Sequence, residues 1–359
     1  MENEQLPKIG ISIGDVNGIG MEVTIKSLLN KEINKTFTPI VYGSSKLATF
    51  FKKEMHLNDF NFALAKDHSQ INPKQSNMLN AWDNEIKIEL GQETPIGGEY
   101  AIKSLRAAVA DLKANKIDAL VTAPINKSNV QSSTFNYKGH TDYLAAEFNV
   151  GDNYAMMLVS DKLRVSLITE HVPLSEVSKN ISIEKIVAKI TVINESLKKD
   201  FLIPRPLIAL LGLNPHAGDK GLLGKEELQI ILPAIELLKQ KGIMCFGPYS
   251  ADGYWANSTY TKFDCTVAMY HDQGLIPFKQ LCFDNGVNFT AGLPIVRTSP
   301  DHGTAYDIAP KFIADENSMR QALYTAVDIV KNRALHAEWT SNTLVPNPRL
   351  SQRITNARE

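Results

Sequence analysis

The sequence has 359 residues, of which 43% are hydrophobic and 21% charged, enough to bury one large core or two moderate ones. Its 38 basic and 39 acidic side chains leave a net charge of −1, so nucleic acid and anionic membrane are excluded as expected partners in favour of a small molecule. The polar start MENEQLPK predicts no signal peptide, and no apolar run is long enough to cross a bilayer. Cys245, Cys265 and Cys282 form no C-x-x-C pair, which indicates reduced thiols in a cytoplasmic protein.

Short apolar runs alternate with longer amphipathic segments along the chain. The predicted strands are IGISI (9–13), PIVYG (39–43), IDALVTA (117–123), LRVSLIT (163–169), PLIALLGL (206–213) and CTVAMY (265–270). The predicted helices cover residues 22–29, 45–51, 98–114, 183–197 and 225–241, and Gly242 ends the last of them. Strands separated by helices of this length predict βαβ units, a largely parallel sheet and therefore an α/β fold.

The first predicted strand leads into a glycine-rich loop, GDVNGIG, at residues 14–20. This loop is not a Rossmann fingerprint, because Val23 stands where the third glycine is required, and it has no Lys-Ser/Thr of a P-loop. Two interpretations remain. The glycines permit a tight strand-to-helix turn and nothing more, or Asp15, at the carboxyl end of the strand, belongs to a binding site.

Three histidines share one position relative to the predicted strands. His171, His216 and His271 each follow an apolar run directly or within a few residues. Because ligands bind at the carboxyl ends of strands in open α/β sheets, these imidazoles could form a three-histidine metal site of the catalytic kind. Their separations of 45 and 55 residues match no local ligand motif, so histidines that merely bond to loop carbonyls are an equal alternative.

Further polar residues suggest an anionic ligand. His140 and Thr141 stand at a predicted helix start, with Thr141 as the expected N-cap and free backbone N–H groups beside it. The span GVNFTAGLPIVRTSPDHGTAYDIA (286–309) is expected to be loop-like, because it contains three glycines. It carries Asn288, Arg297, Asp301, His302 and Asp307. Each charge taken alone is more typical of a solvated surface, but together with Lys279 they favour a phosphate- or carboxylate-bearing substrate.

Several segments, in this order, resemble the 4-hydroxythreonine-4-phosphate dehydrogenases of pyridoxal phosphate biosynthesis. They are VTAPINK, KGHTDYLA, LNPHAG, AMYHDQGLIPFK, GVNFTAGLP and RTSPDHGTAYDIA, and the resemblance runs from about residue 8 to 335. It implies an isocitrate/isopropylmalate dehydrogenase-like fold, with two α/β/α domains, a central cleft and a homodimer whose active site lies at the interface. We therefore expect a cofactor-side domain of residues 1–130 plus 300–359, and a metal, substrate and dimerisation domain of residues 131–299.

The resemblance also implies the site residues. The metal ligands are His171, His216 and His271, which hold a divalent metal. Three imidazoles suit zinc, and magnesium, manganese or cobalt remain as alternatives. The substrate-binding residues are His140, Thr141, Lys279, Asn288 and Arg297. The residues at NAD or NADP are Asp15, Gly18, Asp301, His302, Gly303 and Thr304. The catalytic candidates for proton transfer are Asp272, Asp252 and Lys279, among which the sequence does not choose.

The implied reaction is the metal-dependent, NAD(P)-linked oxidation of 4-phosphooxy-L-threonine at C3, followed by decarboxylation to 3-amino-2-oxopropyl phosphate. One alternative is a paralogous dehydrogenase of threonate or erythronate 4-phosphate, which the same residues would serve. A phosphate acyltransferase of related fold and a non-catalytic anion-binding protein are further alternatives, and neither needs a nicotinamide.

Overall fold

The computed structural model describes residues 6–341, and a single twelve-stranded sheet forms its centre. The strands are β1 (Lys8–Ser12), β2 (Thr38–Gly43), β3 (Ala63–Ala65), β4 (Asn77–Asn80), β5 (Ala119–Thr122), β6 (Ala155–Val159), β7 (Arg164–Leu167), β8 (Leu207–Leu211), β9 (Met244–Tyr249), β10 (Cys265–Ala268), β11 (Val287–Ala291) and β12 (Val296–Pro300). Their order across the sheet is β3-β4-β2-β1-β5-β12-β11-β6-β7-β10-β8-β9.

Helices cover both faces of this sheet. They are α1 (Gly20–Leu28), α2 (Ser45–Glu54), α3 (Pro95–Lys113), α4 (His140–Glu147), α5 (Ile183–Asp200), α6 (Leu232–Gln240), α7 (Ala251–Ala256), α8 (His271–Cys282) and α9 (Asn317–Ser341). The predicted helices are all present with shifted ends, and a π-helical turn, Glu227–Ile231, precedes α6. Gly242, with a φ of +75°, follows the end of α6 as expected. The prediction of an α/β fold is confirmed.

Strand direction reverses in the middle of the sheet. Pairs on either side of the centre are parallel, but β11 is antiparallel to both β12 and β6, and β6 is antiparallel to β7. One block of parallel strands (β3, β4, β2, β1, β5 and β12) is thereby joined to a second block that runs in the opposite direction (β7, β10, β8 and β9). The segment 286–309 was predicted to be loop-like, which is wrong: β11 and β12 lie within it.

The two faces of the sheet are covered differently. On one face a continuous apolar core extends across both blocks, where α5 and α9 pack on the strands and α1 packs on α9. On the other face the core is divided into two clusters. One lies where α3 packs on β1, β2 and β5, and the other where α8 packs on β7 and β10. The central strands between these clusters form the floor of a cleft.

The expected domain division, at residues 131 and 300, stays a prediction, and its residues 1–5 and 342–359 lie outside the described part of the chain. Between residues 6 and 341, no helix has the length and apolar character needed to cross a membrane. The three cysteines are buried and unpaired, and burial raises the pKa of Cys245 and Cys265 to about 12. These thiols are therefore protonated and unreactive at neutral pH.

A buried ion pair joins two helices of the continuous face. Asp200, the last residue of α5, accepts a hydrogen bond of 2.6 Å from Nε of Arg333 on α9, and its side chain is 2% exposed. Ser196 donates to the other carboxylate oxygen. The same guanidinium donates to the carbonyl of Pro294, between β11 and β12. Asp200 thus holds α5, α9 and the central strands in one arrangement.

Replacing Asp200 by Ala should lower the free energy of unfolding by about 3 to 5 kcal/mol, because the Arg333 guanidinium loses its carboxylate inside the fold. Urea-induced unfolding measures the change. The control is Lys198→Ala on the same helix, which removes an exposed pair with Glu195 and should cost about 1 kcal/mol or less. Equal losses in the two variants would contradict the role given to Asp200.

Candidate active site

The cleft has a volume of 1230 Å³, and the central strands form its floor. Asn288 of β11 is in register with Ser299 of β12 and with Leu158 of β6, so these side chains share one face of the sheet. Arg297 lies two residues before Ser299 and therefore faces the same way. The predicted substrate residues Asn288 and Arg297 are thus fixed on strands, where the backbone ladder holds them in place.

Arg297 is a buried charge on the floor of the cleft. It is 3% exposed, and its guanidinium donates to the hydroxyls of Thr122 (2.7 Å from Nη2) and Thr290 (3.3 Å from Nη1). Burial lowers its pKa to about 10, which leaves it charged at neutral pH. Within residues 6–341 no acidic side chain pairs with it, so the cleft floor carries an uncompensated positive charge that favours an anion.

Two polar atoms beside Arg297 are buried without hydrogen bonds among the described residues. They are Nε2 of His140 and Oδ1 of Asn288. Burial, with the charges of Arg297 and Lys127 adding to it, holds the pKa of His140 well below its usual range, so the imidazole is neutral. Thr141 was predicted as the N-cap of α4, which is wrong: it is the second residue of the helix. His140 and Thr141 both line the cleft at the helix N-terminus, where an anion is favoured.

Lys279 of α8 connects these groups with the predicted cofactor residues. Its Nζ lies 3.5 Å from Oδ2 of Asp301, which follows β12. Burial raises the pKa of Asp301, although the ammonium of Lys279 opposes this shift. His302 and Gly303 line the same cleft, and Nε2 of His302 is buried without a partner among the described residues. Substrate and cofactor candidates therefore share one cavity.

The first strand-to-helix loop packs against this segment. The backbone N–H of Ile19 donates to the carbonyl of Thr304 at 3.0 Å, and a Cβ at Gly18 would lie 2.8 Å from that oxygen. Asp15 is fully buried, and its carboxylate accepts bonds from Tyr306 (2.8 Å) and Asn129 (2.7 Å). The structure thus brings Asp15, Gly18 and Thr304 together, with Asp15 bonded inside the protein and outside the cleft lining.

The three histidines follow three neighbouring parallel strands, β7, β10 and β8. His171 and His271 line the cleft, and their ring centroids are 5.9 Å apart. Burial, then Lys127, lowers the pKa of His171, which keeps it neutral. Nδ1 of His271 lies 2.8 Å from the Asp272 carboxylate, an arrangement that orients the ring. His216 is exposed and does not line the cleft, and within residues 6–341 no three metal-binding side chains are gathered.

The loop of His216 has an unusual backbone. Residues 216–220 all have positive φ, a conformation that is costly for side chains other than glycine. Glu227, 2% exposed at the start of the π-helical turn, holds this loop by accepting from the N–H groups of Leu213 (2.8 Å) and Asn214 (2.7 Å). Asp252 lies near His216, and bonds from Ser250 lower the pKa of its carboxyl. The sequence places Glu227 in the first turn of a helix after a glycine-rich loop but does not indicate that it holds the loop.

The sequence of this chain is similar to those of one protein family and its relatives. The profile of the family described as "Pyridoxal phosphate biosynthetic protein PdxA" matches residues 35–326. A 4-hydroxythreonine-4-phosphate dehydrogenase of Bacteroides thetaiotaomicron is 45% identical over 93% of this chain and 91% of its own length. An Oceanobacillus iheyensis relative, provisionally named a D-threonate 4-phosphate dehydrogenase, is 39% identical over 91% of this chain and 99% of its own.

Solved structures give the same result. A 4-hydroxythreonine-4-phosphate dehydrogenase from Burkholderia phymatum superimposes with a TM-score of 0.75 at 37% identity, covering 91% of this chain and 99% of that one. The Klebsiella pneumoniae enzyme of the same name gives 0.77 at 34% identity, covering 92% and 99%. A phosphotransacetylase from Staphylococcus aureus, 12% identical with a TM-score of 0.52 over 91% and 94%, shares the fold alone.

Replacing Arg297 by Met should raise the free energy of unfolding of the ligand-free protein by about 1 kcal/mol or more, because an unpaired buried charge is removed. The same variant should lose the stabilisation that added inorganic phosphate gives the wild type. Thermal unfolding with and without phosphate measures both effects. A less stable variant would contradict the claim that the buried charge opposes folding. A variant that phosphate still stabilises fully would show that Arg297 is not the anion site.

Proposed function

Because the chain belongs to the family of pyridoxal phosphate biosynthetic proteins, we infer that it is a 4-hydroxythreonine-4-phosphate dehydrogenase of vitamin B6 biosynthesis. The observation that supports this function is the position of Arg297 on the floor of the cleft. Arg297 is buried and no acidic side chain within residues 6–341 pairs with it, and His171 and His271 line the same cleft. A phosphate fits the charge of Arg297, and an oxidisable hydroxyl on the neighbouring carbon fits the two histidines.

The reaction oxidises the C3 hydroxyl of 4-phosphooxy-L-threonine. The C3 hydrogen leaves as hydride to NAD or NADP, and the hydroxyl proton leaves to a base. The resulting β-keto acid loses its carboxyl group as carbon dioxide, and protonation of the remaining carbon gives 3-amino-2-oxopropyl phosphate. The site must therefore hold a phosphate, stabilise charge on the C3 oxygen and supply a proton.

The phosphate is assigned to the group around Arg297. The guanidinium supplies charge-assisted hydrogen bonds, and the α4 N-terminus with Thr141 supplies further donors. The neutral His140 and the amide of Asn288 have polar atoms free to bond with the ligand. Lys279 lies beside Asp301, between the substrate candidates and the cofactor candidates. We propose that it donates the proton that the carbon needs after carbon dioxide has left.

The histidine pair suits a divalent metal. His171 and His271 are neighbouring imidazoles at a polar cleft, and the neutral state of His171 is the form that binds a metal. A metal there, zinc or in its place magnesium, manganese or cobalt, would lower the pKa of the C3 hydroxyl and stabilise negative charge on its oxygen. Asp272 orients His271 from outside the cleft, so we assign it a positioning role instead of proton transfer.

We further propose that the enzyme is a homodimer and that His216 of the partner subunit completes the metal site. Within one chain His216 lies away from the cleft, on a rigidly held exposed loop. Leu222 is 79% exposed beside it, and Leu223 and Leu228 are also exposed, as expected of a surface that a second copy covers. Asp252, close to His216, would enter the partner's site with it.

NAD or NADP is assigned to the segment from Asp301 to Thr304 and to the loop of Gly18 that packs on it. Nε2 of His302 is buried and has no hydrogen-bond partner within residues 6–341, so it is available to bond with that ligand. Free, buried thiols are consistent with a cytoplasmic enzyme, and the balanced charge is consistent with a small-molecule substrate in place of nucleic acid or membrane.

Dehydrogenation of D-threonate 4-phosphate is a second candidate, because one relative of 39% identity is provisionally named for it. The test is an assay of the purified protein with either substrate, NAD or NADP, and each divalent metal in turn. We expect metal-dependent formation of reduced nucleotide and of carbon dioxide with 4-phosphooxy-L-threonine, at a kcat/KM at least tenfold above that for the threonate. The reverse preference would assign the enzyme to the hydroxy acid.

The shared metal site predicts complementation between two inactive variants. His216→Ala and His171→Ala should each fold, because neither side chain belongs to an apolar core, and each should lose bound metal and turnover. Co-expression should produce mixed dimers with one intact site, so metal content and activity should partly return. If the mixed dimers stay inactive, all three ligands come from one chain. A fully active, metal-replete His216→Ala protein would remove His216 from the site.

A further inference from the structure

We propose that the ion pair between Glu170 and Lys189 binds the α-amino and α-carboxylate groups of the substrate, and that Glu170 selects an amino acid over the corresponding hydroxy acid. This inference rests on the proposed function, since it locates the remaining groups of that substrate. It gives a role to two residues to which the sequence alone assigned none.

The pair lies on the wall of the cleft. Glu170 precedes His171 in the loop after β7, and Lys189 belongs to α5. Nζ of Lys189 is 3.0 Å from Oε1 of Glu170, and the two side chains are only 13% and 20% exposed respectively. Both residues line the cavity. A pair that is largely shielded and faces a cavity differs from the exposed pairs on this protein, which solvent screens.

The pair is held by its surroundings. Nζ of Lys189 lies 5.0 Å from the ring centroid of Tyr154, within the range of a cation–π contact. The Tyr154 hydroxyl donates to Asp142 of α4 at 3.1 Å. Burial raises the pKa of Tyr154, so this hydroxyl stays a donor. The cleft wall is therefore a connected network from α4 to α5, and Glu170 and Lys189 offer their charges in a fixed arrangement.

The position follows from the order of groups on the substrate. The phosphate is attached at C4, the oxidised hydroxyl at C3, the amino group at C2, and the carboxylate is C1. With the phosphate at Arg297 and the C3 oxygen at His171 and His271, C2 extends beyond the histidines. Glu170 is bonded through the chain to His171 and shares the cleft with it. The carboxylate of Glu170 is thus the acceptor beside C2.

The chemistry of the pair matches an α-amino acid. Glu170 accepts hydrogen bonds from the amino group, while the ammonium of Lys189 donates to the substrate carboxylate. A hydroxy acid presents a neutral hydroxyl to Glu170 and keeps only the contact with Lys189. Loss of one charge-assisted hydrogen bond in a shielded site corresponds to a difference of about tenfold or more in binding.

The test compares Glu170→Gln, Lys189→Met and the wild type. Isothermal titration of the full-length protein, in the absence of nucleotide, gives the Kd of 4-phosphooxy-L-threonine and of D-threonate 4-phosphate for each. Glu170→Gln should weaken binding of the amino acid about tenfold or more and change that of the hydroxy acid by less than about threefold. Lys189→Met should weaken both ligands by similar factors, because both carry the carboxylate. Glu184→Gln, an exposed carboxylate that also lines the cleft, is the control and should change neither Kd.

Equal weakening of both ligands by Glu170→Gln, or no change in either, would overturn the inference and leave the pair a structural contact. Because these titrations measure binding without nucleotide, their outcome is separate from the dehydrogenase assay. Selective binding without turnover would refute the proposed function alone, whereas turnover with unchanged selectivity in Glu170→Gln would refute this inference alone.

Discussion

The reversal of strand direction at β11 and β6 is the constraint on which the rest of the structure depends. It joins two parallel blocks through one unbroken ladder of backbone hydrogen bonds. Helices can then cover the whole of one face, but on the other face α3 and α8 pack on separate blocks and leave the centre open. A cleft forms there without any break in the sheet, and its floor is as rigid as the strands that build it.

This division of the faces explains how the protein tolerates unfavourable groups at the cleft. Arg297 is buried with no counter-charge among residues 6–341, and the loop of His216 has six successive residues of positive φ, from 216 to 221. Both features oppose folding. The continuous face supplies the compensating stability, through its large apolar core and the buried pair of Asp200 with Arg333. Binding groups are thus held ready on one side of a sheet that the other side stabilises.

Local patterns predicted part of this arrangement. Short apolar runs identified β1, β2, β5, β7, β8 and β10 but missed the parallel strands β3, β4, β9 and β12. The ends of two of these runs correctly located His171 and His271 at the cleft. The strand β11 was missed although VNFTA alternates apolar and polar residues, because the glycines at 286 and 292 suggested a loop. The polar residues of that alternation face the cleft. In VNFTA the polar residues belong both to the alternating pattern of a strand and to the binding site, and the glycines on either side favoured a loop.

Contacts between distant segments could not be predicted. Glu170 and Lys189 are 19 residues apart, and Asn214 and Glu227 are 13 apart. Arg297 of β12 donates to Thr122 of the neighbouring strand β5, which is 175 residues earlier in the chain. None of these spacings is a motif, because the pairs exist only once the loop after β7 lies beside α5 and β12 lies beside β5. The two-domain division was not decided either, since a single sheet crosses the expected boundary at residue 131.

The proposed sharing of histidines gives this architecture a further consequence. A symmetric dimer uses the same surface twice, so each subunit would lend His216 to its partner and receive one in return. A metal that binds two subunits together stabilises the dimer by its own binding free energy. Metal affinity and association would then be linked, and each would strengthen the other. The positive φ values of the His216 loop fit this arrangement, because a metal ligand that projects from one subunit into another must be held by a fixed backbone.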